Sequence, residues 1–182
     1  MKGKVLESTG LTDELSAKVT KNQNIIESGL QVHGFVTIIK NKGKTNEEII
    51  IEDNPNLLTV DGRDAFHQAL YIDTSATQVG FNHIAVSSNV GGADASHTAL
   101  ADEITTGGLA RKLATTRTHT DDTNESTLAA TFTASAIHAD VQLSGLFDQL
   151  TIGGTLSHEN TFTVADLEIG DTLTVTWTLT LG

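Results

Sequence analysis

Seven histidines are the first residues in the chain that could do chemistry: His33, His67, His83, His97, His119, His138 and His158. None stands at His-Glu-x-x-His spacing or in another short metal-ligand pair. The chain has no cysteine, so neither disulfides nor thiolate metal sites are available to it. Serine, histidine and aspartate are all present, yet no Gly-x-Ser-x-Gly elbow presents a nucleophile. Gly91 and Gly92 are not followed by the Lys-Ser or Lys-Thr of a phosphate loop. Arg63 and His67 lie one helical turn apart, a spacing that serves a small anion but is commoner on a solvated helix face. Asp121, Asp122, Asn124 and Glu125 gather oxygen donors of the kind calcium prefers. They lack EF-hand spacing, so they read as a weak calcium turn at most and otherwise as an acidic hairpin tip. Asn124-Glu125-Ser126 is a glycosylation sequon, idle without secretion. No catalytic residue and no cofactor is expected.

Composition narrows the partners. There are 23 acidic and 11 basic residues, a formal charge of −12, where nucleic-acid surfaces need clustered lysine and arginine. Aromatics make up 4% of the chain, too few for the stacking platforms of sugar or single-strand binding. No apolar run reaches the ~20 residues that span a bilayer, and the first ten residues lack the apolar stretch of a signal peptide. A chain of 182 residues suits one domain, or a domain with an arm.

The elements that would hold any site are mostly strands. Residues 170–181 alternate without a break: Leu173, Val175, Trp177, Leu179 and Leu181 on one side, Thr172, Thr174, Thr176, Thr178 and Thr180 on the other. Period two is a strand with one apolar face, and threonine suits the wetted side because its branched Cβ favours extended backbone. Residues 32–40 and 47–52 read as a hairpin with a central first strand, turned at Gly43 and closed by the break at Pro55. Residues 57–72 read as the best helix, capped by Thr59 or Asp61, with Asp64 in its first turn and Phe66, Ala69 and Leu70 as its stripe. Residues 81–87 form a strand, and 95–103 a helical turn or a draped loop. From 109 onward the pattern is all strand: 109–120, 126–136, 137–150 with a bulge or close approach at Gly145, 156–164, and the last. About eight strands with regular turns imply a mainly β domain over residues 31–182, an antiparallel β-sandwich of jelly-roll-like form with one helix. Its expected core is Phe35, Val36, Ile38, Phe66, Leu70, Ile84, Val86, Phe132, Phe147, Phe162, Val175 and Trp177. Residues 1–30 read as an N-terminal arm whose Leu11, Leu15 and Val19, at i, i+4 and i+8, make a thin apolar stripe for packing on its own domain or on a neighbouring subunit.

The order of several short segments carries a resemblance. A hairpin at 34–53 is followed by Asn56-Leu-Leu-Thr-Val-Asp-Gly-Arg-Asp-Ala, then a strand and loop at 81–94, Leu100-Ala-Asp-Glu and Leu109-Ala-Arg-Lys. Gly145-Leu-Phe-Asp, Thr161-Phe-Thr-Val and Gly170-Asp-Thr-Leu-Thr-Val-Thr-Trp-Thr-Leu close the series. Over about residues 34–181 the chain resembles virion structural proteins of tailed phages and archaeal viruses, tail- or capsid-associated; the arm lies outside the match. The resemblance implies a particle component without catalysis, made in the host cytoplasm and resident in the virion. Its partners would be other capsid or tail subunits and further copies of itself, with a trimer as the expected oligomer, and neither nucleic acid nor membrane. A receptor- or glycan-binding module at a tail tip is the alternative, and a hydrolase on a β scaffold is a third.

Overall fold

The computed structural model describes residues 32–67, 80–119, 121 and 123–181. Leu11, Leu15, Val19, Leu70 and Asp122 lie outside the described residues.

The chain is mainly β, in two antiparallel five-stranded sheets with one short helix. In chain order the elements are β1 (Val32–Lys40), β2 (Glu48–Pro55), β3 (Leu57–Leu58), α1 (Val60–His67), β4 (His83–Ser87), β5 (Lys112–Leu113), β6 (Thr116–His119), β7 (Glu125–Thr133), β8 (His138–Phe147), β9 (Leu156–Leu167) and β10 (Thr172–Leu181). The first sheet runs β2-β1-β10-β7-β6 and the second β3-β9-β8-β4-β5. β10 lies between β1 and β7, with Trp177 opposite Val36 on one side and Leu128 on the other.

One core lies between the sheets. Val36, Ile38, Phe132, Val175 and Trp177 of the first sheet share a cluster with Ile84, Val86, Leu146 and Phe162 of the second. Period-two patterning explains this, since each strand sends alternate side chains inward. A smaller cluster, Ala85, Leu100, Leu143, Phe147 and Leu156, lies on the other side of the second sheet, where Leu100 brings the loop after β4 down onto it. Phe147 is therefore buried, but in this second layer.

Several expectations need correction. Phe35 is 37% exposed, because it shares its face of β1 with Thr37 and Ile39, opposite Thr178 of β10. Phe66 is half-buried, edge-on to His158 with ring centroids 6.3 Å apart. The helix begins at Val60, not at residue 57: Leu57 and Leu58 pair with Glu159 and His158 of β9. Thr59 is its cap, its hydroxyl accepting from Gly62 N at 3.0 Å, and Asp61 rather than Asp64 occupies the first turn. β2 does not stop before Asp53 but continues to Pro55, tolerated there because β2 is an edge. The expected strand 109–120 is two pieces: β5 belongs to the second sheet and β6 to the first. Residues 95–103 contain turns and no helix, the draped form of the two expected. β9 runs on to Leu167, past the expected end at 164.

Candidate assembly surface and its supports

The threonine side of β10 becomes a two-dimensional surface once register is set. Thr178 stands between Phe35 of β1 and Thr127 of β7, and Thr127 is opposite Thr118 of β6. The next row is Thr37, Thr176, Ala129 and Thr116, and a third is Ile39, Thr174 and Thr131. Within the third row the hydroxyls of Thr131 and Thr174 are 2.9 Å apart. Ile39 is also opposite Ile49 of edge strand β2, which is 55% exposed. Among β1, β10 and β7, the residues that register assigns to this face include one charged side chain, Glu125, and from β2 the Asp53 carboxylate reaches the face, accepting from Thr37 Oγ1 at 3.3 Å. On a chain of charge −12 this outer face is distinctive. Methyls and hydroxyls alternate with isolated apolar rings and branches, which a partner that keeps the hydroxyls hydrogen-bonded can cover at far lower desolvation cost than charges.

At one margin of this face lies an open polar groove of about 330 Å³, lined by Thr118, Thr123, Asn124, Glu125 and Thr127. Two of the four residues offered by sequence as oxygen ligands, Asn124 and Glu125, line it; Asp121 does not. Among the described residues no cluster of three or more His, Asp or Glu side chains could hold a metal ion.

Two buried polar constructions support the scaffold, and sequence reading found neither. In the first, Arg111 is 7% exposed and grips Glu103 with both arms, Nε to Oε1 at 2.9 Å and Nη2 to Oε2 at 2.6 Å. Its Nη1 donates to the carbonyls of Gln149 (3.1 Å), Thr151 (3.0 Å) and Gly153 (3.1 Å). Its guanidinium stacks on Phe147 at 3.5 Å from the ring centroid. Asp148 then accepts from Thr155 N at 2.9 Å, closing the β8–β9 turn. The segments 103–111 and 147–155 thus meet in one knot. It is a fastening: the guanidinium is spent on the protein's own acceptors.

In the second, β9 carries a buried polar run, Ser157, His158, Glu159 and Asn160. Glu159, 1% exposed, accepts at Oε2 from Asp94 N (3.0 Å) and lies 2.8 Å from His97 Nδ1, while its Oε1 has no partner. Thr161 Oγ1 accepts from Ala93 N at 2.7 Å, so the loop after β4 is pinned to β9 at successive positions. A carboxylate–imidazole pair is half of a hydrolytic relay. The neighbouring hydroxyl, Ser96 Oγ, is instead bonded to Asp94 Oδ1 at 2.7 Å, and these bonds hold the Asp94 carboxyl below the usual carboxylate range. On the inner side, His158 bonds Ser157 Oγ at 3.0 Å and faces Trp177 with centroids 6.2 Å apart. Burial lowers its pKa to about 4, so it is neutral at pH 7. A polar run of this kind reads from sequence as a solvated strand; only its pairing with β3 and β8 and the overlying loop reveal that it is covered.

No protein-family model, no curated protein and no solved structure matches the chain.

Proposed function

We propose that this chain is a structural component of a tailed virus particle, a capsid decoration or tail-associated protein that works by assembly with its own copies and with other virion subunits, without catalysis. The observation that carries the reading is the outer face of the first sheet: rows of threonine with Phe35, Ile39 and Ile49, charged only at its margins by Asp53 and Glu125, on a strongly acidic chain. The resemblance in segment order supports it. So does the knot around Arg111, which holds long loops rigid rather than presenting a reactive group. We read the two sheets as a sandwich of jelly-roll-like form, on the ground that β1 pairs with β10 and β3 with β9, early strands beside late ones. The test is mass spectrometry of purified particles separated into heads and tails. The chain is expected in one fraction, at a copy number that distinguishes a decoration from a tail part; absence from both overturns the proposal. Replacing Leu11, Leu15 and Val19 by serine is expected to lower incorporation while the β domain stays folded. Unchanged incorporation would assign the arm no part in assembly.

A receptor- or glycan-binding role is the second reading, favoured by the polar groove beside Asn124 and Glu125. A glycan array that stays blank with and without calcium removes it.

A further inference from the structure

Each sheet ends in two edges, and an edge with free backbone groups invites another strand unless something blocks it. Among the described residues the edges of the first sheet are β2 and β6, and those of the second are β3 and β5, of two residues each. β2 is blocked several times over. Its register slips between Val36 and Ile38 and again between Ile38 and Ile39, Asp53 takes a φ of +46°, Pro55 lacks a donor, and Glu48 and Glu52 are exposed. Of these devices β6 has only one exposed charge, Arg117. Thr116, Arg117, Thr118 and His119 are all exposed, pair with Ala129 through Ser126 without a slip, and include no proline, lysine or acid.

We propose that β6 is the dimerisation edge of this chain, pairing antiparallel with β6 of a second copy to join two five-stranded sheets into one of ten. The inference deepens the assembly reading above and rests on it. Symmetry argues for a second copy as the occupant. A two-fold axis perpendicular to the sheet reverses strand direction and brings the same edge to itself, an isologous contact. That axis also keeps faces together, so the threonine rows of both copies form one surface. Directly opposed residues must then share a face, which admits Arg117 opposite Arg117 or Thr118 opposite Thr118. Like charges directly opposite are unfavourable, so the register centres on Thr118, hydroxyl against hydroxyl. Charge points the same way. Two chains of −12 repel over most approaches, and β6 is a strand without acidic residues, its own charge the positive Arg117, beside threonine rows charged only at their margins.

The absence of cysteine makes the test clean. Opposed α-carbons in an antiparallel pair are about 4.5–5.5 Å apart, within disulfide reach. Thr118→Cys is expected to cross-link into a dimer under mild oxidation, and Glu52→Cys, on the blocked edge, is not. Light scattering on the untreated chain should give twice its 19.3 kDa. Thr118→Lys should halve that mass with the circular-dichroism spectrum unchanged, because the site is exposed in the single chain, while the melting temperature falls to a concentration-independent value as the partner is lost. A monomeric wild type, a trimer insensitive to Thr118→Lys, or equal cross-linking of both cysteine variants overturns the proposal. A dimer broken by Thr118→Lys in a chain absent from particles would sink the virion reading and leave this one standing.

Discussion

Arg111 and Glu103, eight residues apart, form a two-armed ion pair at 2.6 and 2.9 Å inside the knot that binds the loop after β4 to the β8–β9 turn. Both side chains are more than nine-tenths buried. Removing one partner of such a pair leaves the other charge desolvated and alone, at a cost of about 3–5 kcal/mol. Arg111→Met is expected to destabilise by that order in urea unfolding. Arg111→Lys should recover only part, because an ammonium cannot span both carboxylate oxygens and three carbonyls. The double variant with Glu103→Leu should be less destabilised than Arg111→Met alone, since no orphan charge remains. A double variant worse than either single one would contradict this account of the knot.

His158 sets a pH limit. Its pKa is lowered to about 4 by burial between Phe66 and Trp177, against about 6.5 when unfolded. The unfolded chain therefore binds the proton first as pH falls. The stability linked to this group is fully present above pH 6.5 and is lost progressively down to about pH 4, reaching roughly 3 kcal/mol at 1.36 kcal/mol per pKa unit. His83, also lowered by burial and then by Arg111, adds in the same direction. Urea unfolding at stepped pH should show a slope in this window that His158→Leu flattens relative to wild type. An identical slope in the variant would move the effect to other groups.

Legibility followed period and range. β7 and β10 were readable because Leu128, Ala130 and Phe132, like Leu173, Val175 and Trp177, alternate strictly and all point into the core. Phe35 misled because apolar residues on both faces of β1 imply two covered sides, whereas its outer side is the threonine face. Leu57 and Leu58 read as the first residues of the helix because the pairing that makes them a strand comes from β9, a hundred residues on. Separation in sequence hid the knot as well, over 38 to 42 residues. Arg111 is one charged residue among several in sequence, and its acceptors at 103 and 149–153 converge only through the turn after β8. The threonine rows were half legible: one strand showed a hydroxyl face, but Thr118, Thr127, Thr131 and Thr37 join it through register.

Gly62 separates propensity from packing with a single methyl. It lies inside α1, where alanine is intrinsically better than glycine by about 1 kcal/mol, so helix propensity alone expects Gly62→Ala to stabilise. Here the helix crosses β9 at its closest approach. A Cβ on Gly62 would meet the carbonyl oxygen of Ser157, its Cα at 2.6 Å and its carbonyl carbon at 2.8 Å. These are backbone atoms of a strand paired on both sides, so they cannot yield as a side chain would. The neighbouring anchors, Thr59 N to Ser157 O at 3.0 Å and Thr59 Oγ1 to Leu156 O, would stretch as the helix lifts. The expected result is net destabilisation by about 1–3 kcal/mol, the usual cost of overpacking, with a lower melting temperature. Gly62→Ala that melts at or above the wild-type temperature would mean that α1 rides clear of β9 in solution.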